Sequence, residues 1–221
     1  MTIIYSNLTE PTSIFDYQHP DVEQFLTEAG CFEEHTLSGA VERLHDAVRD
    51  SIDYNVFNVA LGEELRSSTV VDEATGFCLH KNILFVAGCR RLGVPAILCS
   101  DVVTNHVSDE AMRELVGGEE FLHWYAQIYL DGRWIKAAPI FNALLCTIYG
   151  IAVLHFNPRA DAIEQANTDG TGMRYMGHER SYTNPTMGEL LQVIQDMHPR
   201  MVTREGRTPT SHRLTGAGLG N

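Results

Sequence analysis

Between residues 36 and 52 the apolar side chains Val41, Leu44, Val48 and Ile52 recur at spacings of three and four, which puts them on one stripe of an amphipathic helix. Ser38 is a candidate N-cap for it. A shorter helix is expected at Pro20 to Ala29, with Gly30 as its stop. Helical period returns at Leu79, Ile83, Val86 and Ala87, so a third helix should start near Cys78. It halts at Arg91-Leu92-Gly93-Val94-Pro95, where the glycine supplies a terminal turn and the proline blocks continuation. Ala96 to Val103 then reads as a buried strand, and 107–117 as a short helix or loop. The hairpin signal is FLHWYAQIYL-DG-RWIKAAP, two aromatic and branched runs around Asp131-Gly132. Period two sorts its first arm, with Trp124, Ala126, Ile128 and Leu130 on one face and His123, Tyr125, Gln127 and Tyr129 on the other. Another apolar stretch runs from Pro139 to Phe156, and a last helix is expected around Thr186 to Met197. Residues 203–221, rich in Gly, Thr and Arg and without periodicity, are expected to form a flexible tail. Periodicity alone gives a mixed α and β domain.

A chain of 221 residues with 44% hydrophobic residues can bury a large core, and one domain over 1–202 is expected. The formal net charge of -13 repels phosphate backbones and anionic headgroups, which argues against nucleic acid and membrane partners. No stretch of about 18 apolar residues occurs, and MTIIYSNLTEPTS lacks the basic and apolar regions of a secretory signal. A cytoplasmic protein is expected. Its five cysteines, at 31, 78, 89, 99 and 146, include no CxxC pair, which suits free thiols. Gaps of eleven and ten residues between Cys78, Cys89 and Cys99 fit no zinc site, the ten histidines include no HExxH, and no calcium loop is present. No metal or cofactor is expected.

At a helix start, the Cys78 sulfur would meet unpaired backbone N–H groups and the positive end of the helix dipole, which favour thiolate. A free cysteine is more commonly a small buried apolar residue. Cys89, near the end of the same helix, and Cys99, inside the next strand, fit that plainer description.

The segment GFCLHKNILFVAGCRRLGVPA, followed by FLHWYAQIYLDGRWIKAAP, resembles the core of the transglutaminase-like superfamily, whose fold is related to that of papain-like cysteine proteases. Gly76 and Cys78 match the Gly-x-Cys that opens the catalytic helix, and Arg91 to Ala96 match the turn that leaves it. His123-Trp124, with Tyr129 and Trp134, matches the histidine strand and its hairpin. The resemblance covers roughly residues 67–142, and Ser51 to Tyr54 extend it upstream. HFNPRADAI and GMRYMGHERSYTNP are similar to a bacterial branch of the group. It implies an α+β fold with a catalytic helix packed on an antiparallel sheet. It also implies a Cys-His-Asp triad whose thiolate attacks an amide carbonyl of a peptide or protein and passes through a thioester resolved by water or an amine. The backbone N–H of the nucleophile would help hold the oxyanion.

Cys78 and His123 match the first two members. The aspartate position is Ala138. If Leu130 pairs with Arg133, paired numbers sum to 263 and Ile140 stands opposite His123, with residues 138 and 142 as diagonal neighbours on the same face. Asn142 is therefore the candidate third member, as amides serve in papain-like triads. The alternative for Asn142 is an ordinary turn residue. His80, two residues along the helix from Cys78, points elsewhere. His106, Tyr54, Tyr125 and Gln127 are candidates for lining the cleft. Two functions stay open: a cysteine hydrolase or acyltransferase acting on an amide, and a binding protein that keeps the fold but lost turnover with the acid.

Overall fold

The computed structural model describes residues 5–104, 110–163 and 173–210. Helices α1 (Pro20–Glu28) and α2 (Leu37–Ser51) lie where the apolar periods put them, and Val41, Leu44, Val48 and Ile52 are all buried. The cap of α2 is Thr36 and not Ser38: its hydroxyl accepts from the Gly39 N–H at 3.0 Å, the N3 bond that only the residue preceding the helix can make. Strand β1 (Asp53–Tyr54), α3 (Ser67–Glu73) and β2 (Thr75–Gly76) follow, and the two short strands pair in parallel.

Helix α4 (Cys78–Arg91) is buried from Cys78 through Arg90, as expected of a helix with apolar residues around its whole circumference. Gly93, at φ +77, makes its terminal turn, and the Val94 N–H closes onto Cys89 O at 2.8 Å. The chain then enters β3 (Ala96–Thr104), α5 (Glu110–Val116), β4 (Glu120–Leu130), β5 (Arg133–Ala137), α6 (Ala143–Tyr149), β6 (Arg174–Tyr175), β7 (Arg180–Tyr182) and α7 (Met187–Met197). Thr186 and Glu189 cap α7 reciprocally in a capping box.

The sheet is antiparallel, in the order β5-β4-β3-β6, with β7 also on β3. Leu130 pairs with Arg133 and Ala126 with Ala137, so the expected hairpin register holds, with Asp131 and Gly132 both at positive φ in the turn. β5 stops at Ala137, however, and no pairing carries the register on to Ile140 or Asn142. Helix α4 packs along β3 and β4. The result is the α+β architecture of the papain-like and transglutaminase-like proteins.

The tail expectation began too early. Residues 203–210 lie against 58–62: Leu61 N–H donates to Gly206 O at 2.7 Å, Thr208 N–H to Val59 O at 2.9 Å and Asn58 N–H to Pro209 O at 3.1 Å. Thr208 is buried, and the Arg207 guanidinium forks onto both Glu73 carboxylate oxygens at 2.7 and 2.9 Å. An extended segment held by its backbone and two side chains leaves no periodic trace. Residues 211–221 lie outside the described residues. Truncation after Val202 is expected to lower the melting temperature, by about 2–4 °C for each kcal/mol lost in a chain this long. Thermal unfolding of the truncated chain checks this, and an unchanged midpoint contradicts the packing.

Candidate active site

Gly76 closes β2 because nothing larger fits: a Cβ there would stand 2.4 Å from the Cβ of His80. Phe77 supplies no side-chain cap to α4, which leaves the first amides of the helix facing Cys78. The Cys78 sulfur is nonetheless buried. Burial pushes its pKa up to about 12, while N–H groups of Trp124, Leu79 and Cys78 itself pull the other way without prevailing. Burial thus opposes the thiolate that the helix start favours.

Two neighbours fix the first turn of α4. Lys81, fully buried, donates to Arg49 O at 2.8 Å and Ile52 O at 2.5 Å, occupying carbonyls at the end of α2. Burial lowers its pKa to about 7. Asn82 donates to Cys78 O at 2.8 Å and to Trp124 O at 2.9 Å, so its amide ties the turn that carries Cys78 to β4. Sequence reasoning missed both. The signal for Asn82 was its place four residues after Cys78, on the same helix side.

His123 sits beside Trp124 on β4 and is buried, with Nε2 making no hydrogen bond among the described residues. Burial lowers its pKa to about 3. The Tyr175 ring stands edge-on to it at 5.8 Å. Among the described residues no hydrogen bond joins Cys78 to His123, so the structure sets the two candidates on neighbouring elements without pairing them. His80 points elsewhere, as expected, with Nε2 at 2.7 Å from Ala60 O.

Asn142 does not reach His123. Its Nδ2 donates to Asp50 O at 3.2 Å and Ile52 O at 3.0 Å, and its Oδ1 accepts from Tyr54 N–H at 3.1 Å. Hairpin parity failed because pairing ends at Ala137 and the chain turns into α6. Ala138 is buried, and its N–H donates to Ala162 O at 3.1 Å. Tyr125 and Gln127 are joined to Glu179 at 2.7 and 2.9 Å. Tyr54 lies close enough to Cys78 for burial, and then the sulfur's charge, to raise its phenol pKa. His106 lies outside the described residues.

A cavity of about 10 Å³, room for roughly one water, adjoins Cys78 and is walled by apolar side chains including Phe77, Trp124, Met112 and Met201. α5, α7 and the turn after it roof this space. His198 pins the roof: its Nε2 accepts from Leu122 N–H at 2.9 Å, and its Nδ1 lies 2.8 Å from Val116 O. Among the described residues no group of His, Cys, Asp and Glu is arranged to hold a metal ion, and no helix is long and apolar enough to cross a membrane.

With this geometry in place, comparison with known proteins gives a match between residues 24–139 and the family model of the transglutaminase-like superfamily. No curated protein matches the chain. A solved structure described as a "Putative Cysteine Protease" from Cytophaga hutchinsonii shares 14% identity at a TM-score of 0.47, over 82% of this chain and 54% of that one. The chain thus spans about half the length of that protein.

Two outcomes follow from the site. Asn142→Ala breaks the bonds to residues 50–54 and is expected to cost about 1–3 kcal/mol in urea unfolding while leaving the pH dependence of Cys78 alkylation unchanged. A changed pH profile would restore Asn142 to the triad. The second outcome concerns acid. His80 and His123 have folded pKa values of about 4 and about 3, below the ordinary 6.5, so the unfolded chain binds more protons between those values. Stability should be unaffected by these groups above pH 6.5 and fall as pH drops from 6.5 towards 4. Urea titrations across that range test it, and a flat profile contradicts the burial of the two rings.

Proposed function

Because the chain belongs to the transglutaminase-like superfamily, we propose that it is a cysteine-dependent enzyme that cleaves or transfers the acyl group of a peptide or protein amide through a thioester on Cys78. The observation that carries this reading is the placement of Cys78 at the first residue of α4, fastened to the strand that bears His123. In the proposed cycle the Cys78 S–H proton passes to His123 and the thiolate attacks the amide carbonyl. The oxyanion meets backbone N–H groups at the start of α4, and His123 returns its proton to the leaving amine. Water or a second amine then releases the acyl group. The roof over Cys78 must move for substrate to enter, since the cavity admits little more than a water molecule. The five cysteines, all buried and none in a disulfide, accord with work in a reducing cytoplasm.

A second reading has its own support. Ala138 stands where the family's acid belongs, burial opposes ionisation of Cys78, and His123 Nε2 has no hydrogen-bond partner among the described residues, a combination that suits a protein that binds a peptide without turning it over. Site-resolved alkylation separates the two. The enzyme reading expects iodoacetamide to modify Cys78 at least about tenfold faster than Cys89 and Cys99, and Cys78→Ala to abolish amide turnover without loss of fold. Equal, slow labelling of the three thiols favours the binding protein.

A further inference from the structure

The family's acid reaches its histidine from the strand that follows; here that position is Ala138, and Asn142 is committed to residues 50–54. The strand on the other side of β4 offers a carboxylate. Asp101 of β3 is the direct partner of His123 in the antiparallel register. Partners of this kind project to the same face with Cβ atoms about 4.5–5.5 Å apart, near enough for a carboxylate and an imidazole to meet by side-chain rotation. Asp101 is 5% exposed. Its Oδ1 accepts from the N–H groups of Val102 and His178, each at 2.7 Å, and its Oδ2 bonds to no described residue. His123 carries the matching vacancy, a buried Nε2 with no partner among the described residues. One face of the sheet therefore sets a buried imidazole nitrogen without a described partner opposite a carboxylate whose second oxygen no described residue engages.

We propose that Asp101 is the positioning residue for His123, orienting its ring and stabilising its imidazolium from β3 in place of an acid at position 138. This rests on the reading of Cys78 and His123 as nucleophile and proton partner. When the Cys78 proton moves to His123, the new imidazolium donates one N–H to Asp101 Oδ2, and that bond offsets the charge burial would otherwise forbid. The same proton later leaves with the amine. The need is plain from the isolated ring, since burial alone holds His123 neutral until about pH 3. Lys136, His155, Asp161 and Tyr175 line the same cavity as Asp101; of the groups on this face, Tyr125 and Lys136 bind Glu179, Asp161 accepts from the Lys136 N–H, and the Tyr175 hydroxyl donates to Ile163 O. On the Cys78 side, burial raises the thiol's pKa.

Asp101→Asn is the decisive variant, because the amide oxygen still accepts from Val102 and His178 while the charge is gone. The rate of Cys78 alkylation by iodoacetamide is followed by mass spectrometry from pH 4 to 9 in wild type, Asp101→Asn and Glu179→Gln. In wild type a reactive plateau is expected to extend below neutral pH. Asp101→Asn should lose at least about tenfold at pH 7 and recover only as the thiol ionises unaided at high pH, while Glu179→Gln keeps the wild-type profile. A wild-type profile in folded Asp101→Asn overturns the proposal, and so does an equal loss in Glu179→Gln. If wild-type Cys78 reacts no faster than Cys89, the nucleophile reading fails first and this proposal with it. An NMR titration of His123 gives a second readout: a lower His123 pKa in Asp101→Asn than in wild type supports Asp101, and equal values in the two proteins overturn it.

Discussion

Everything at the site hangs on the seam between the first turn of α4 and the open edge of β4 at Trp124. β5 ends at Ala137, opposite Ala126, so the next outward-facing peptide groups of β4 have no strand beside them. Buried backbone groups must still be paired. Asn82 takes the Trp124 carbonyl, and the Trp124 N–H turns to the sulfur of Cys78. The helix start thus completes the sheet edge, and a backbone requirement fixes the nucleophile beside the histidine's strand. Lys81 holds the same turn from behind by filling the carbonyls at the end of α2. Removing either side chain exposes a buried acceptor, a loss of about 1–3 kcal/mol each.

That rigid frame surrounds groups kept in their neutral forms. Burial disfavours the charged forms of both Cys78 and His123, and the amides near the sulfur oppose it only in part. Asn82 Oδ1 and His123 Nε2 are buried without hydrogen-bond partners among the described residues. Native interiors hold few such atoms, and those they do hold commonly mark a place where stability is given up to function. The other two such atoms among the described residues, His45 Nε2 and His80 Nδ1, lie on α2 and α4.

Much of this was legible in the chain. The stripe of Val41, Leu44, Val48 and Ile52, the stop at Gly93 and the Asp131-Gly132 turn each follow from local rules, and each is where those rules put it. Cys78 at the helix start and His123 on the hairpin strand were equally readable. What local rules could not carry was the end of pairing at Ala137, and Asn142 was misplaced for that reason alone: parity extends only as far as the ladder does. Burial was the second blind spot. A helix dipole can be read from sequence, whereas the roof made by α5, α7 and His198 comes from residues far along the chain. The third was Asp101, since the pairing of β3 with β4 is a long-range choice that the hairpin does not determine.

The central claim is that Cys78 becomes acylated. Incubation with a library of peptide amides, acid quenching and peptide mapping by mass spectrometry tests it most directly. The account predicts an acyl mass on Cys78 that disappears on treatment with hydroxylamine and is absent in His123→Ala. Acylation spread over the other cysteines, or none on Cys78 with peptides that demonstrably bind, would contradict it.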